Sequence, residues 1–250
     1  MLYLGSCRYM YDYDWDYFPG RLHTTREIIF FLENMTNIKN IINNNPPELA
    51  NCIFGDIYHP GVINDANKFM NKNMNTNINK IIMEISSKKV MYYNDIPLNY
   101  FYTNIRNIHY IGQKYNLVEK ILTDEEVEHD LNHIIKLCKT RFNENIQLHI
   151  IPHLNLKTKA KLDYICERNN FVNLLECLCS KYNIQIHNIG KYIEDNNSSC
   201  FLEDYMPDST HYSNYYDKIK AFLIGEIIGI GIKSTNTHSL EKKTQYIPTT

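Results

Sequence analysis

The sequence predicts an α/β fold: one doubly wound domain with a mostly parallel five-stranded sheet and helices on both faces. Three observations predict it. Short apolar runs recur along the chain at Leu2–Leu4, Cys52–Phe54, Ile81–Ile85, Ile146–Ile151 and Ile184–Ile186. Stretches with three- and four-residue apolar spacing lie between most of them, and parallel strands need such helical crossovers. The chain has 250 residues, 44% of them hydrophobic, which is enough for one substantial core and short for two.

The first run, Leu2–Leu4, ends in Gly5, Ser6 and Cys7. After HTTRE (His23 to Glu27), Ile28, Ile29, Phe31, Leu32, Met35 and Ile38 make an apolar stripe, with Thr24 or Thr25 available as its cap. The Asn-rich pieces at Asn43–Asn45 and Asn71–Asn79 read as loop or helix-edge filler. TDEE (Thr123 to Glu126) is a capping box, followed by a stripe of Val127, Leu131, Ile134, Ile135 and Cys138. Phe171, Val172, Leu174, Leu175 and Leu178 make a third stripe before NIQIH, and Ile219, Phe222, Leu223, Ile227 and Ile228 a fourth. Residues 1–233 therefore read as one domain of flavodoxin-like winding. From Ser234 onward the sequence has no period, and 234–250 is expected to be a mobile tail.

Composition removes several classes of function. The 26 Lys and Arg against 28 Asp and Glu leave a net charge of -2, without the global basic field that drives non-specific nucleic-acid binding. A nucleic-acid partner is disfavoured on that ground; the local alternative is Arg21 and Arg26 with their flanking tyrosines. No apolar run approaches the ~20 residues of a membrane span, and the first residues lack the basic-then-apolar order of a signal peptide. A soluble, cytoplasmic protein without a membrane partner is expected, with its seven cysteines reduced and mostly buried. No cofactor is expected, because nine glycines supply no phosphate-cradling loop. No metal is expected either: Cys177 and Cys179 are too close together for a zinc knuckle, and His129 and His133 have helical spacing but no third ligand. The abundance of Asn, Ile, Lys and Tyr is what an AT-rich genome writes.

In an open parallel sheet the functional loops leave the carboxyl ends of the strands. The predicted strands deliver Gly5, Ser6, Cys7 and Arg8; Gly55, Asp56 and His59; Glu84, Ser86, Ser87 and Lys88; and Pro152, His153 and Asn155. A long loop then carries Asp204, Asp208 and His211 into the last stripe. A hydroxyl or thiol becomes a useful nucleophile when an imidazole takes its proton, and the imidazole needs an acid to fix its tautomer. Asp208 and His211 supply both roles from one segment, and amides of the turn after the first strand are placed to receive an oxyanion.

The glycine-nucleophile turn after the first strand and the Asp-x-x-His before the last helix resemble the SGNH (GDSL-type) esterase and acyltransferase superfamily. Gly5, Ser6 and Cys7 stand where those proteins have Gly-Asp-Ser, and Asp208 to His211, DSTH, stands where they have the terminal Asp-x-x-His. The GSC opening is most similar to the GSCFA branch. The resemblance implies an acyl-enzyme acting on a small acylated substrate, with a glycan as the class. By position Cys7 is the nucleophile, and Arg8 beside it favours the thiolate; a one-residue shift makes it Ser6. His211 is then the base and Asp208 its orienting acid.

The departures from the family pattern concern the oxyanion donors. Gly55 is the counterpart of the second-block glycine. In place of the third-block asparagine stand Ser86 or Ser87, or else Asn64 from GVINDAN. Arg21, His23 and Arg26 belong to a substrate loop or, equally, to a turn and helix cap. His153 either bonds to backbone or lines the pocket, and Glu84 is expected to pair with a lysine. The competing class is a catalytically inactive module that keeps the fold and binds a carbohydrate, nucleic acid or protein.

Overall fold

The structure is a computed structural model that describes residues 2–5, 22–46, 49, 52–53, 78–99, 114–197, 199–206 and 225. Its elements are those of a mixed α/β protein. In chain order they are β1 (Leu2–Leu4), α1 (Thr25–Asn34), α2 (Ile38–Asn43), β2 (Lys80–Ile85), β3 (Lys89–Tyr93), β4 (Ile96–Leu98), β5 (Val118–Ile121), α3 (Asp124–Arg141), β6 (Gln147–Pro152), α4 (Cys166–Tyr182), β7 (Gln185–Ile186), α5 (Ile189–Asn196) and α6 (Leu202–Tyr205).

Among the described residues β1, β2, β6 and β7 form a parallel sheet in that order. Tyr3 pairs with Ile82 and Ile82 with His149, so alternate residues of these strands share a face. One face carries Leu2, Leu4, Ile81, Met83, Ile85, Leu148 and Ile150, clustered with Phe31 and Leu32 of α1, Leu131 and Ile134 of α3, and Leu175 and Leu178 of α4. The opposite face carries Tyr3, Ile82 and Ile151, clustered with Ile189 and Ile193 of α5 and with Leu202, Tyr205 and Met206. Strands covered on both faces are apolar almost throughout, which is why the runs of β1, β2 and β6 read as continuous in the sequence.

The helices start where the sequence places their caps. Thr24 caps α1 and Thr123 caps α3, each in a capping box with the glutamate three residues on. Asp124, Glu125 and Glu126 in the first turn of α3, with Lys139 and Arg141 in its last, oppose the helix dipole. Asn183 closes α4 in the left-handed conformation, φ 55°.

Two expectations are corrected. The run at Cys52–Phe54 is no strand where it is described: the Cys52 and Ile53 amides donate to the Leu49 carbonyl at 2.8 and 3.1 Å, the bonding of a helical turn. The burial that made it look like a strand is real, since Cys52 is 3% and Ile53 0% exposed, but a buried turn supplies it. The stripe from Ile28 to Ile38 is two helices, broken between Asn34 and Ile38.

A second sheet, antiparallel in the order β4-β3-β5, was not expected. Tyr93 pairs with Ile96 across Asn94 and Asp95, and Asn94 adopts φ 52°, which asparagine tolerates. Pro97 lies on the edge strand β4, where a missing amide costs least. The apolar residues of the fourth stripe, Ile219, Phe222, Leu223, Ile227 and Ile228, and the segment 234–250 lie outside the described residues.

Candidate active-site edge

The carboxyl ends of β1, β2 and β6 lie side by side, and each is held differently. β1 runs into Gly5, whose carbonyl accepts from the Leu22 amide at 3.0 Å. A Cβ here would lie 2.4 Å from Tyr3 Oη and 2.7 Å from Glu84 Cβ, so a side chain is excluded by close approach. Beneath that contact Tyr3 Oη donates to Glu84 Oε2 at 3.0 Å, and both residues are fully buried. Among the described residues this phenol is one partner of the Glu84 carboxylate.

β2 ends at Ile85, and the next two residues are tied to the segment before α1. The amides of Ser86 and Ser87 both donate to the His23 carbonyl, at 3.0 and 3.1 Å. His23 Nδ1 lies 3.1 Å from Ser86 Oγ, with both side chains half-buried. Ser87 Oγ accepts from the Lys89 amide at 2.9 Å and thereby serves the turn into β3. The His23 amide donates to Glu27 Oε2 at 3.0 Å, and the Thr24 amide and hydroxyl donate to the same oxygen at 2.8 Å. Burial pushes the Glu27 carboxyl up from 4.5 to about 7, against the opposing pull of the Thr24 hydroxyl and the His23 and Thr24 amides.

β6 ends at Pro152. His153 is 9% exposed and its Nδ1–H donates to the Leu154 carbonyl at 3.2 Å. Arg168 donates to the same carbonyl at 3.0 Å, and Asn155 Nδ2 donates to Asn169 Oδ1 at 2.9 Å. Gly190 of α5 packs on this loop so closely that a Cβ would meet the Asn155 carbonyl oxygen at 2.4 Å.

The structure thus brings Gly5, Ser86, Ser87, His23 and His153 to one edge of the sheet. Cys7, Ser6, Arg8, Arg21, Gly55, Asn64, Asp208 and His211 lie outside the described residues. Arg26 pairs with Asp130: its Nε lies 2.8 Å from Asp130 Oδ2, an oxygen that also accepts from Thr25 Oγ1 at 2.7 Å. Sequence reasoning missed Tyr3 and Glu27 as partners of the edge. The signal for Glu27 was its place at the third position of a Thr24 capping box; nothing local marks Tyr3.

Among the described residues no group of three or more His, Cys, Asp or Glu is arranged to hold a metal ion, and no helix is long and apolar enough to cross a membrane. His149 Nδ1 and His187 Nε2 are 2.9 Å apart and share a hydrogen. Burial and the neighbouring His187 and Lys80 hold His149 down at about 4, while burial lowers His187. The described cysteines are free, with Cys52, Cys138, Cys179 and Cys200 buried and Cys166 and Cys177 exposed.

No protein-family model and no curated protein matches the chain. Among solved structures, it is similar to a catalytic mutant of Axe2, an acetylxylan esterase from Geobacillus stearothermophilus, and to a second mutant of Axe2, an acetyl-xylooligosaccharide esterase from the same organism. Each match has 10% identity and a TM-score of 0.38, covers 63% of this chain, and spans 63% of the esterase.

Proposed function

We propose that the chain is an esterase or acyltransferase of SGNH type, working through a covalent acyl-enzyme at the carboxyl edge of β1, β2 and β6. One observation carries the reading: three adjacent parallel strands release Gly5, Ser86 and His153 at the same edge, and the chain passes from Gly5 directly into Ser6 and Cys7. In this reading the doubly wound sheet has a fifth strand, one domain spans 1–233, and the protein is cytoplasmic. The GSC opening supports the GSCFA branch.

Cys7, or Ser6 in its place, attacks the acyl carbon while His211 takes the nucleophile's proton and Asp208 holds the imidazole. The tetrahedral adduct collapses, the alcohol leaves with the proton that His211 returns, and water or an acceptor hydroxyl then takes the acyl group. Ser86 Oγ or Asn64 supplies an oxyanion donor beside Gly55, and Arg8, Arg21 and His23 line the substrate side. The substrate is a small acylated molecule, with a glycan as its class.

Intact-mass spectrometry after brief incubation with activated short-chain esters tests this. We expect an acyl adduct that is lost in His211→Ala and in only one of Cys7→Ala and Ser6→Ala. A folded parent without adduct or turnover overturns the reading. That result would favour the binding-module alternative, which the engagement of both the Ser86 and Ser87 amides by the His23 carbonyl supports, because the strand-end backbone then offers no oxyanion donor there.

A further inference from the structure

At the described edge two chemically active side chains from residues 63 positions apart, His23 and Ser86, meet at 3.1 Å. The position of the imidazole is over-determined by its own backbone. The His23 amide is held by Glu27 Oε2 at 3.0 Å and its carbonyl by the amides of Ser86 and Ser87 at 3.0 and 3.1 Å. The ring is therefore carried on a peptide unit anchored to α1 on one side and to the end of β2 on the other. Three such bonds are more than a surface histidine in a turn requires.

A Ser–His contact at 3.1 Å admits two arrangements. In one, Ser86 Oγ–H donates to Nδ1 and the oxygen is primed as a nucleophile. Such a nucleophile would need amide donors for its oxyanion, and the amides of Ser86 and Ser87 are both engaged by the His23 carbonyl. In the other, Nδ1–H donates to Ser86 Oγ, and the hydroxyl hydrogen is turned away from the ring. With its amide engaged, the hydroxyl is the one donor that Ser86 can offer a ligand.

We propose that His23 is a positioning residue: it carries its proton on Nδ1, donates it to Ser86 Oγ, and so aims the Ser86 hydroxyl as the donor for the developing oxyanion of acyl transfer. The proposal rests on the acyl-enzyme reading and deepens it. It assigns the third donor to Ser86 rather than to Ser87, whose hydroxyl accepts from the Lys89 amide, and gives His23 a role through Ser86.

Two measurements on the full chain test it. Long-range ¹H–¹⁵N correlation, with the His23 signals assigned by difference from His23→Asn, is expected to show protonated Nδ1 and unprotonated Nε2. The opposite neutral tautomer overturns the proposal whatever the activity. Single-turnover acylation by p-nitrophenyl acetate, followed by intact mass, supplies the second. Ser86→Ala is expected to slow acylation roughly 100-fold at saturating ester. His23→Leu is expected to slow it roughly tenfold in the parent and not at all in the Ser86→Ala background. His23→Asn, which sets an amide N–H near the Nδ1 position, is expected to restore most of the rate. An equal His23→Leu effect in both backgrounds overturns the positioning role while the acyl-enzyme stands. A parent that forms no adduct overturns both.

Discussion

At Gly5 the difference between a hydrogen and a methyl group decides whether β1 can close on β2. The nearest atoms to an added Cβ are Tyr3 Oη and Cζ and Glu84 Cβ, at 2.4, 2.7 and 2.7 Å, and two of the three belong to a side chain pinned by its own hydrogen bond. Neither neighbour has room to retreat, because Tyr3 and Glu84 are both fully buried. Gly5→Ala is therefore expected to destabilise the protein by about 1–3 kcal/mol through overpacking, seen as a lower denaturant midpoint. Part of that loss should return in the Tyr3→Phe background, where one of the clashing atoms is gone. The glycine is required by close approach, not by a left-handed backbone.

At the scale of the element, the caps did most to place the helices. The Thr123 hydroxyl accepts from the Glu126 amide at 3.2 Å, and Glu126 Oε2 accepts from the Thr123 amide at 3.0 Å. Glu126 also pairs with Lys120 of β5, so this cap ties α3 to the second sheet. Thr123→Ala is expected to cost about 1 kcal/mol, read by thermal or denaturant unfolding. The β5 strand shows the opposite management of an end. It is an edge, with Val118 62% and Ile121 65% exposed, yet its two central residues are charged and engaged by Lys89 and Glu126. Charges at the middle of an edge strand discourage a further strand from adding there.

At the scale of the whole molecule, two buried titrating groups act on stability in opposite directions. Glu27 is raised from 4.5 to about 7 when folded, so between those values the folded state holds a proton that the unfolded chain has released. Its contribution is full below pH 4.5 and is lost as pH rises through 7. His149 is lowered from 6.5 to about 4, so its contribution is full above pH 6.5 and is lost as pH falls toward 4. Glu27→Gln should therefore gain stability relative to the parent as pH rises from 4.5 to 7, by at most roughly 1.4 kcal/mol per pH unit. His149→Gln should gain relative to the parent as pH falls from 6.5 to 4. Denaturant titrations at several pH values check both signs, and a variant whose difference from the parent is independent of pH would refute the corresponding assignment.

By itself the sequence determined what depends on neighbours along the chain. The apolar runs of β1, β2, β6 and β7, the stripes of α1, α3 and α4, the threonine cap of α1 and the capping box of α3 are properties of spacing within a few residues, and a buried strand or an amphipathic helix cannot form without such patterns. Gly5 at the end of β1 and the serines at the end of β2 were legible for the same reason. Tertiary structure decided whatever needed two distant segments to meet. Ile53 is as buried as any strand residue but folds as a turn, since burial alone does not distinguish the two. The β3–β5 pairing, the contact of Tyr3 with Glu84 across 81 residues, and the seating of His23 on Ser86 follow from the register of the sheet and the path of its connections. Periodicity reports which face of an element is apolar, whereas the partner it meets is fixed only when loop closure and packing select one arrangement.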